Sequence, residues 1–276
     1  MNGIAYRPGL PAWAFPGWRG VCFRRSASPV AGYARVFGCV EGNTTFYRVP
    51  NASTVAQWRE ALAGTGFRFC FKRPRPVTHD RRSDRAVLAD FLAAIEPRED
   101  HLGPLLVQFP AWGGPENLER ITAVVEQLPG DRPRALEVRH PRFFGQPETL
   151  EPLLRRYRLD RVALDASALH RDDPDHPEVR SARHAKPDLP VLEGMHIDLR
   201  FVRPVLHPSG EGNRPVMARW SERIAAERAA GRASYMMIDC PNNQHCPTFA
   251  RDFHEMLRHR VELMPMPSWP NGCRDR

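Results

Sequence analysis

"ALEVRHPRFF" (residues 135–144) opens as a buried strand and stops in charge. Ala135, Leu136 and Val138 are core residues, yet Glu137 and Arg139 sit among them, and His140 and Pro141 follow at once. A strand that carries a carboxylate, a guanidinium and an imidazole to the point where it ends is either braced by a salt bridge or forms one wall of a site. The rest of the chain has to choose between these.

Working outward, short apolar runs recur at 36–40, 67–71, 104–109, 134–139, 161–165, 196–205 and 234–240. Their starts are spaced close to the roughly 30 residues of a βα unit. Helical patterns lie between them. "STVAQWREALAG" opens with Ser53 and closes at Gly64, and "SDRAVLADFLAAIEP" opens with Ser83 and stops before Pro97. "PENLERITAVVEQLPG" places Pro115 near a helix start and ends at Gly130, following the usual asymmetry of proline at the start and glycine past the end. Residues 214–231 and 247–260 supply two more helices.

Strand and helix in alternation mean a parallel sheet covered by helices. Seven such runs, with an eighth at Ile4 to Leu10, fit a closed, TIM-type (β/α)8 barrel better than an open sheet. The first strand is the weak point, because Pro8 and Pro11 do not suit a central strand. The expected organisation is a single α/β barrel domain over residues 1–260 and a loosely held tail over 261–276. Residues 166–194 are polar and proline-broken, and read as a long loop with at most one short helix. No G-x-G-x-x-G or G-x-x-x-x-G-K-[ST] follows a strand, which removes the usual dinucleotide and nucleoside-triphosphate sites.

Composition agrees with one ordinary globule: 276 residues, 42% hydrophobic and 26% charged. No apolar run approaches the roughly 18 residues of a membrane span, and the first residues lack a signal-peptide layout, so the expectation is a cytoplasmic protein without a membrane partner. The net charge of +8 raises nucleic acid as a partner. Lysine, however, occurs only at Lys72 and Lys186, and 28 prolines accompany the arginines, which reads as a compositional bias and a scattered basic surface. The short basic patches are Arg24-Arg25, Lys72-Arg73 and Arg81-Arg82. Six cysteines without a C-x-x-C pair read as reduced thiols. Cys39 and Cys70 belong to strands, and "CPNNQHCP" (240–247) lacks the fourth ligand of a metal site, so no metal is expected.

In a barrel the active groups lie where strands stop. Those positions hold Glu41, Asn43, Thr44 and Tyr47; Lys72 and His79; Gln108; Glu137, Arg139 and His140; Asp165; Arg203 and His207; and Asn242, Asn243 and His245. Each alone has a structural explanation. Polar groups at the same end of nearly every strand read as a site, because buried charges cost several kcal/mol unless paired.

The chain also resembles a known family. "AWAFPGWRG" (12–20), "VEGNTTFYRVP" (40–50), "FRFCFKRPRPVTH" (67–79), "LGPLLVQFP" (102–110), "EVRHPRFF" (137–144), "FVR" (201–203) and "NN" (242–243) look like the successive motifs of the YecE-like proteins, domain of unknown function 72. The resemblance covers most of residues 9–258, implies a TIM barrel, and brings no established activity. The positions that match its pattern are Trp13, Trp18, Glu41, Asn43, Thr45, Phe46, Tyr47, Lys72, His79, Gln108, Glu137, Arg139, His140, Arg203, Asn242 and Asn243. The pattern's R-L-H-G appears as Arg203-Pro204-Val205-Leu206-His207-Pro208. The aromatic before the paired asparagines becomes Cys240-Pro241, and the first motif's small polar residues become Leu10-Pro11-Ala12.

Four chemistries follow. In the first, an enzyme (a hydrolase or lyase of phosphorylated compounds) holds a small anionic ligand with Lys72, Arg139 and Arg203. Glu41 and Glu137 are its acid and base, with Lys72 and His140 as further catalytic candidates. Asn43, Tyr47, His79, Gln108, Asn242 and Asn243 contact the substrate, and no cofactor is specified. The alternative is a nucleic-acid-binding barrel, with or without metal-dependent phosphodiester cleavage, in which Trp13, Trp18, Phe46 and Tyr47 stack on bases. The third, a metal on Glu41, Glu137, Asp165, His140 and His207, is disfavoured by the cations crowding it. A Schiff base on Lys72 needs a desolvated amine away from carboxylates, and Glu41 at its side argues against one.

Overall fold

The computed structural model describes residues 6–26, 28–80, 84–171, 173, 175–192 and 197–270. Ile4 and Ala5 of the expected first strand, Arg81 and Arg82, the expected helix start Ser83, His196, and Cys273 with the last residues of the tail lie outside the described residues.

The described strands are β1 (Tyr6–Gly9), β2 (Cys39–Gly42), β3 (Arg68–Phe71), β4 (Leu105–Gln108), β5 (Arg134–Glu137), β6 (Leu159–Arg161), β7 (Ala163–Asp165), β8 (Leu199–Pro204) and β9 (Ala233–Met237). Every paired neighbour runs parallel, and helices fill the connections, as the alternation predicts, except at the single residue between β6 and β7. The ladders do not form one unbroken sheet. They fall into β1-β9-β8-β7, β2-β3 and β4-β5-β6.

Each seam has a local cause. Between β1 and β2, Gly38 N donates to Pro8 O at 3.2 Å and Glu41 N to Leu10 O at 3.0 Å. Nothing returns directly from β1. Pro8 has no N–H, and Leu10 N donates to the Tyr33 hydroxyl (2.8 Å), which donates in turn to Cys39 O (2.9 Å). A tyrosine side chain thus replaces a ladder bond, which is how a proline-bearing strand is tolerated there. Between β3 and β4, Gly103 N reaches Phe69 O (2.8 Å) and Arg73 N reaches Leu106 O (3.1 Å), while the intervening Pro104 has no donor to give. At the third seam the chain kinks at Val162, whose N–H goes to Leu136 O, while Leu164 N turns back to Val162 O. One stretch therefore pairs with β5 first and with β8 afterwards.

Two expectations change. The helix read from Ser53 spans Ala52–Ala61 and is capped by Asn51, whose side chain accepts from Thr54 N at 2.8 Å. The polar stretch from 166 holds two helices, Ser167–Arg171 and Pro177–Ala185. Leu169 and Val179 are buried with Leu164, Ala166 and Val205, so even a charged sequence supplies enough apolar contacts to fold down. Asp165 starts the first of these helices, accepting from Ser167 N (3.1 Å) and Oγ (2.6 Å). It also accepts from Trp220 Nε1 at 2.7 Å and from Arg219. Its many donors hold its carboxyl below the usual range despite burial, so its role is to tie a strand end to a helix.

Alternate strand residues face opposite sides. Phe69, Phe71, Leu105, Val107 and Leu136 join the larger core with Trp220 and Phe253. The residues between them, Cys39, Cys70, Leu106 and Ala135, pack with Phe201, Tyr235 and Met237 in a smaller, separate core. None of the described helices is long and apolar enough to cross a membrane.

Asp160 is fully buried beside this second core; its Oδ2 accepts from Phe201 N at 2.7 Å and its Oδ1 has no hydrogen-bond partner among the described residues. Burial raises its carboxyl to about 7, with Arg200 and the Phe201 amide pulling it down and Glu227 pushing it up. A raised acid favours the fold below its unfolded value and opposes it as pH rises through the folded one. Asp160→Asn is therefore expected to stabilise the protein by about 1–2 kcal/mol more at pH 8 than at pH 4, the order of an unsatisfied buried acceptor. Urea midpoints at the two pH values check this, and equal changes at both would reject it.

Candidate functional site

A side chain two residues further along a strand points to the same face. Stepping two residues on from the smaller core turns Cys39 into Glu41, Cys70 into Lys72, Leu106 into Gln108, Ala135 into Glu137, Phe201 into Arg203 and Met237 into Asp239. The apolar layer is thus followed, at the C-terminal ends of the strands, by a layer of charge. Gly42 keeps the neighbouring position free, since a Cβ there would lie 2.4 Å from Phe71 Cδ1.

Arg203 is the hub. Its Nη1 donates to Glu137 Oε2 at 2.5 Å and its Nη2 to Glu41 Oε1 at 3.2 Å. Its Nε stands 2.8 Å from Glu41 Oε2, a contact by charge without hydrogen-bond alignment, and Nη2 is 3.9 Å from Asp239. Arg139 flanks Glu137 from the other side, with Nε and Nη2 at 2.7 and 2.6 Å from Oε1. Burial would raise the Glu137 carboxyl, but Arg139, Arg203 and Lys72 overcome it and hold it at about 2. Burial likewise opposes, and Lys186 and Arg203 outweigh it, at Asp239, which is held below the usual range. A carboxylate held this low stays ionised at neutral pH and is a weak proton acceptor.

Lys72 is treated differently. Its ammonium lies 4.1 Å from the Phe46 ring centroid, and no carboxylate of the described residues comes within ion-pair distance. The half-buried amine is lowered to about 8 by burial; Glu41 and Glu137 oppose the drop, while Arg203 and Arg139 add to it. His79 packs nearly perpendicular to the same Phe46, ring centroids 4.8 Å apart, with Nδ1 2.8 Å from Thr78 Oγ1. Burial, then Lys72, Arg139 and Arg75, lower it to about 4 against the pull of Glu137, so the imidazole is neutral at pH 7. Gln108 Nε2 approaches His79 Nε2 at 3.4 Å, and the buried Gln108 Oε1 has no partner among the described residues.

The segment after Pro177 folds onto this layer. Lys186 Nζ meets Asp239 at 2.6 Å, Arg139 Nη1 donates to Ala185 O at 2.5 Å, and Asn242 Nδ2 donates to Glu178 at 2.8 Å. Asp239 and Lys186 were not among the expected residues. Alternation from Met237 points to Asp239, whereas nothing local marks Lys186, which arrives with a distant segment.

Glu41, Lys72, His79, Gln108, Glu137, Arg139 and Arg203 therefore share one network. Other candidates are engaged elsewhere. Asn43 donates to Pro11 O (2.9 Å), and Asn243 O accepts from Trp18 Nε1 (2.9 Å). His140 Nδ1 accepts from Arg142 N at 3.3 Å. Tyr47 is 82% exposed, touching the edge of Phe46. His207 hydrogen-bonds Ser209 and packs on His176. Trp13 is buried edge-on to Trp58 and Phe69. Arg73 is buried over Phe91, so Lys72-Arg73 is not a surface patch. Cys240 and Cys246 are buried thiols raised by that burial, Cys240 to about 12. Among the described residues no three His, Cys, Asp or Glu side chains are grouped to hold a metal ion.

Parallel strands joined by helices, with a charged layer where the strands end, define an α/β protein of the class whose sites form at strand C-termini. The chain matches the family model described as "Protein of unknown function DUF72" over residues 7–272. It belongs to the DUF72 family. It is 32% identical over 273 residues to the UPF0759 protein YecE of Escherichia coli (strain K12), covering 95% of this chain and 96% of that protein. A crystal structure of a DUF72 family protein from Enterococcus faecalis V583 superposes with a TM-score of 0.69 at 18% identity, covering 96% of this chain and 100% of the other. Another, from Thermotoga maritima MSB8, gives 0.64 at 22% identity, covering 91% and 98%.

Proposed function

We propose that the protein is an enzyme acting on a small anionic, phosphorylated substrate, with Lys72 as the ligand-facing cation. The site lies at the C-terminal mouth of one (β/α)8 barrel spanning residues 1–260, in which the three ladders close through the seam hydrogen bonds and β6 and β7 act as one bent strand. The observation that carries this reading is the charge balance of the layer. Four cationic side chains (Lys72, Arg139, Lys186 and Arg203) face three carboxylates (Glu41, Glu137 and Asp239), and among the described residues half-buried Lys72 is the one of these four without an ion-paired carboxylate. An unbalanced cation beside low-dielectric walls attracts an anion. In this reading Arg203 organises the glutamates and Arg139, which spends one donor of each nitrogen on protein, keeps N–H groups for the ligand. The acid–base duty expected of the glutamates passes to Lys72 and His79, and Gln108 Oε1, which has no partner among the described residues, accepts from a substrate hydroxyl.

A ligand that binds only the folded state stabilises it by mass action. Phosphate at ten times its dissociation constant should add about 1.4 kcal/mol to the parent. Lys72→Met should lose that gain while folding normally, and Arg139→Ala should reduce it. Thermal melts with and without phosphate decide the matter. A parent indifferent to both phosphate and sulfate would end the proposal.

A further inference from the structure

Among the described residues the pairing pattern leaves the Lys72 amine without an ion-paired carboxylate. Both oxygens of Glu41 lie against Arg203, at 3.2 Å from Nη2 and 2.8 Å from Nε. Both oxygens of Glu137 are taken by Arg139 and Arg203. The carboxylates that would pin Lys72 as an ammonium are therefore committed to guanidinium groups. Its ammonium lies over the Phe46 ring, 4.1 Å from the centroid. Lys186, the other lysine, is ion-paired to Asp239 at 2.6 Å.

We infer that Lys72 is a nucleophile that condenses with the carbonyl carbon of a small aldehyde or ketone bearing an anionic group. This rests on the anion-binding reading above and names the substrate class of that same site. Desolvation beside other cations is the environment that activates lysine for Schiff-base chemistry. The low value of about 8 fits it, since roughly a tenth of such an amine is neutral at pH 7 against less than a thousandth of an ordinary lysine. The neutral nitrogen attacks the carbonyl carbon, the N–C bond forms and the C–O bond breaks. Two of the three ammonium protons leave with the oxygen as water. The third stays on the iminium nitrogen, so atoms and charge balance with no further reactant. The iminium then withdraws electrons from the adjacent C–C or C–H bond, which is the requirement of a lyase or an isomerase. Gln108 Oε1, buried and without a hydrogen-bond partner among the described residues, supplies an acceptor for a hydroxyl on the same substrate.

The test uses the full chain with glyceraldehyde 3-phosphate, and glyceraldehyde as the uncharged control, followed by borohydride, which reduces an iminium to a stable secondary amine. Peptide mapping should place one adduct on Lys72, formed roughly tenfold faster or more than on Lys186, and faster with the phosphorylated probe. Lys72→Arg should give no such adduct, because a guanidinium stays protonated and does not condense with a carbonyl. Labelling spread equally over Lys72, Lys186 and the α-amino group, or no adduct on Lys72, overturns the inference. Phosphate stabilisation of the parent without a Lys72 adduct would remove the nucleophile alone. Loss of phosphate stabilisation would remove the anion site on which it rests.

Discussion

Replacing Arg203 by Met is expected to destabilise the protein by about 3–5 kcal/mol, the usual cost of removing one partner from a buried ion-pair network. Arg203 is 4% exposed and bridges Glu41 and Glu137, which are both fully buried. After the substitution Glu137 keeps Arg139 and Asp239 keeps Lys186. Glu41 keeps no ion-pair partner among the described residues, and its charge is left in the interior. Most of the loss should therefore be recovered by adding Glu41→Gln, which removes the stranded charge. Arg203→Lys should recover less, because a single ammonium cannot fork between two carboxylates. Urea unfolding of the parent, both single variants and the double variant measures the coupling. A loss under about 1 kcal/mol for Arg203→Met would mean that water reaches the carboxylates and the layer is not a closed network.

Acid should unfold the protein through Glu137. Its carboxyl is depressed from an ordinary 4.5 to about 2, with Arg139 and Arg203 overcoming the opposing effect of burial. A depressed acid contributes stability that is complete above its unfolded value and is lost as pH falls through the folded one. Between pH 4.5 and 2 the unfolded chain takes up a proton that the folded chain refuses, which removes on the order of 3 kcal/mol. Asp239 and Asp165 are lowered as well and act in the same direction, so the parent profile alone does not isolate one group. Glu137→Gln does. Its stability should fall less steeply between pH 5 and 3 than that of the parent, by the share of this one proton. Parallel profiles for parent and variant would show that Glu137 is not held by its arginines in solution.

Much of the charged layer was readable along the chain. Glu41, Lys72, Gln108 and Glu137 each stand at the end of an apolar run, and Arg203 stands in "FVRP". The same alternation reaches Asp239, which the eye passes over because the paired asparagines follow it. Asp165 and His207 occupy strand ends too, yet they serve a helix cap and a loop, because a strand end supplies a position and not a partner. Continuity of the sheet was less legible. Pro8 signals a missing donor, but only the folded chain brings Tyr33 between Leu10 N and Cys39 O.

By itself, then, the sequence determined the parallel α/β class and the end of the strands where charge collects. Both follow from local rules, a period of two along strands and helix signals between them, that need no knowledge of distant residues. Only the tertiary structure decided who pairs with whom. Arg203 reaches Glu137 and Glu41 across sequence separations of 66 and 162 residues, and Lys186 reaches Asp239 from a segment with no periodic signal. Ion pairing depends on separation in space within a few ångströms, and that separation is set by packing of the whole chain. Among the described residues it left Lys72 without an ion-pair partner.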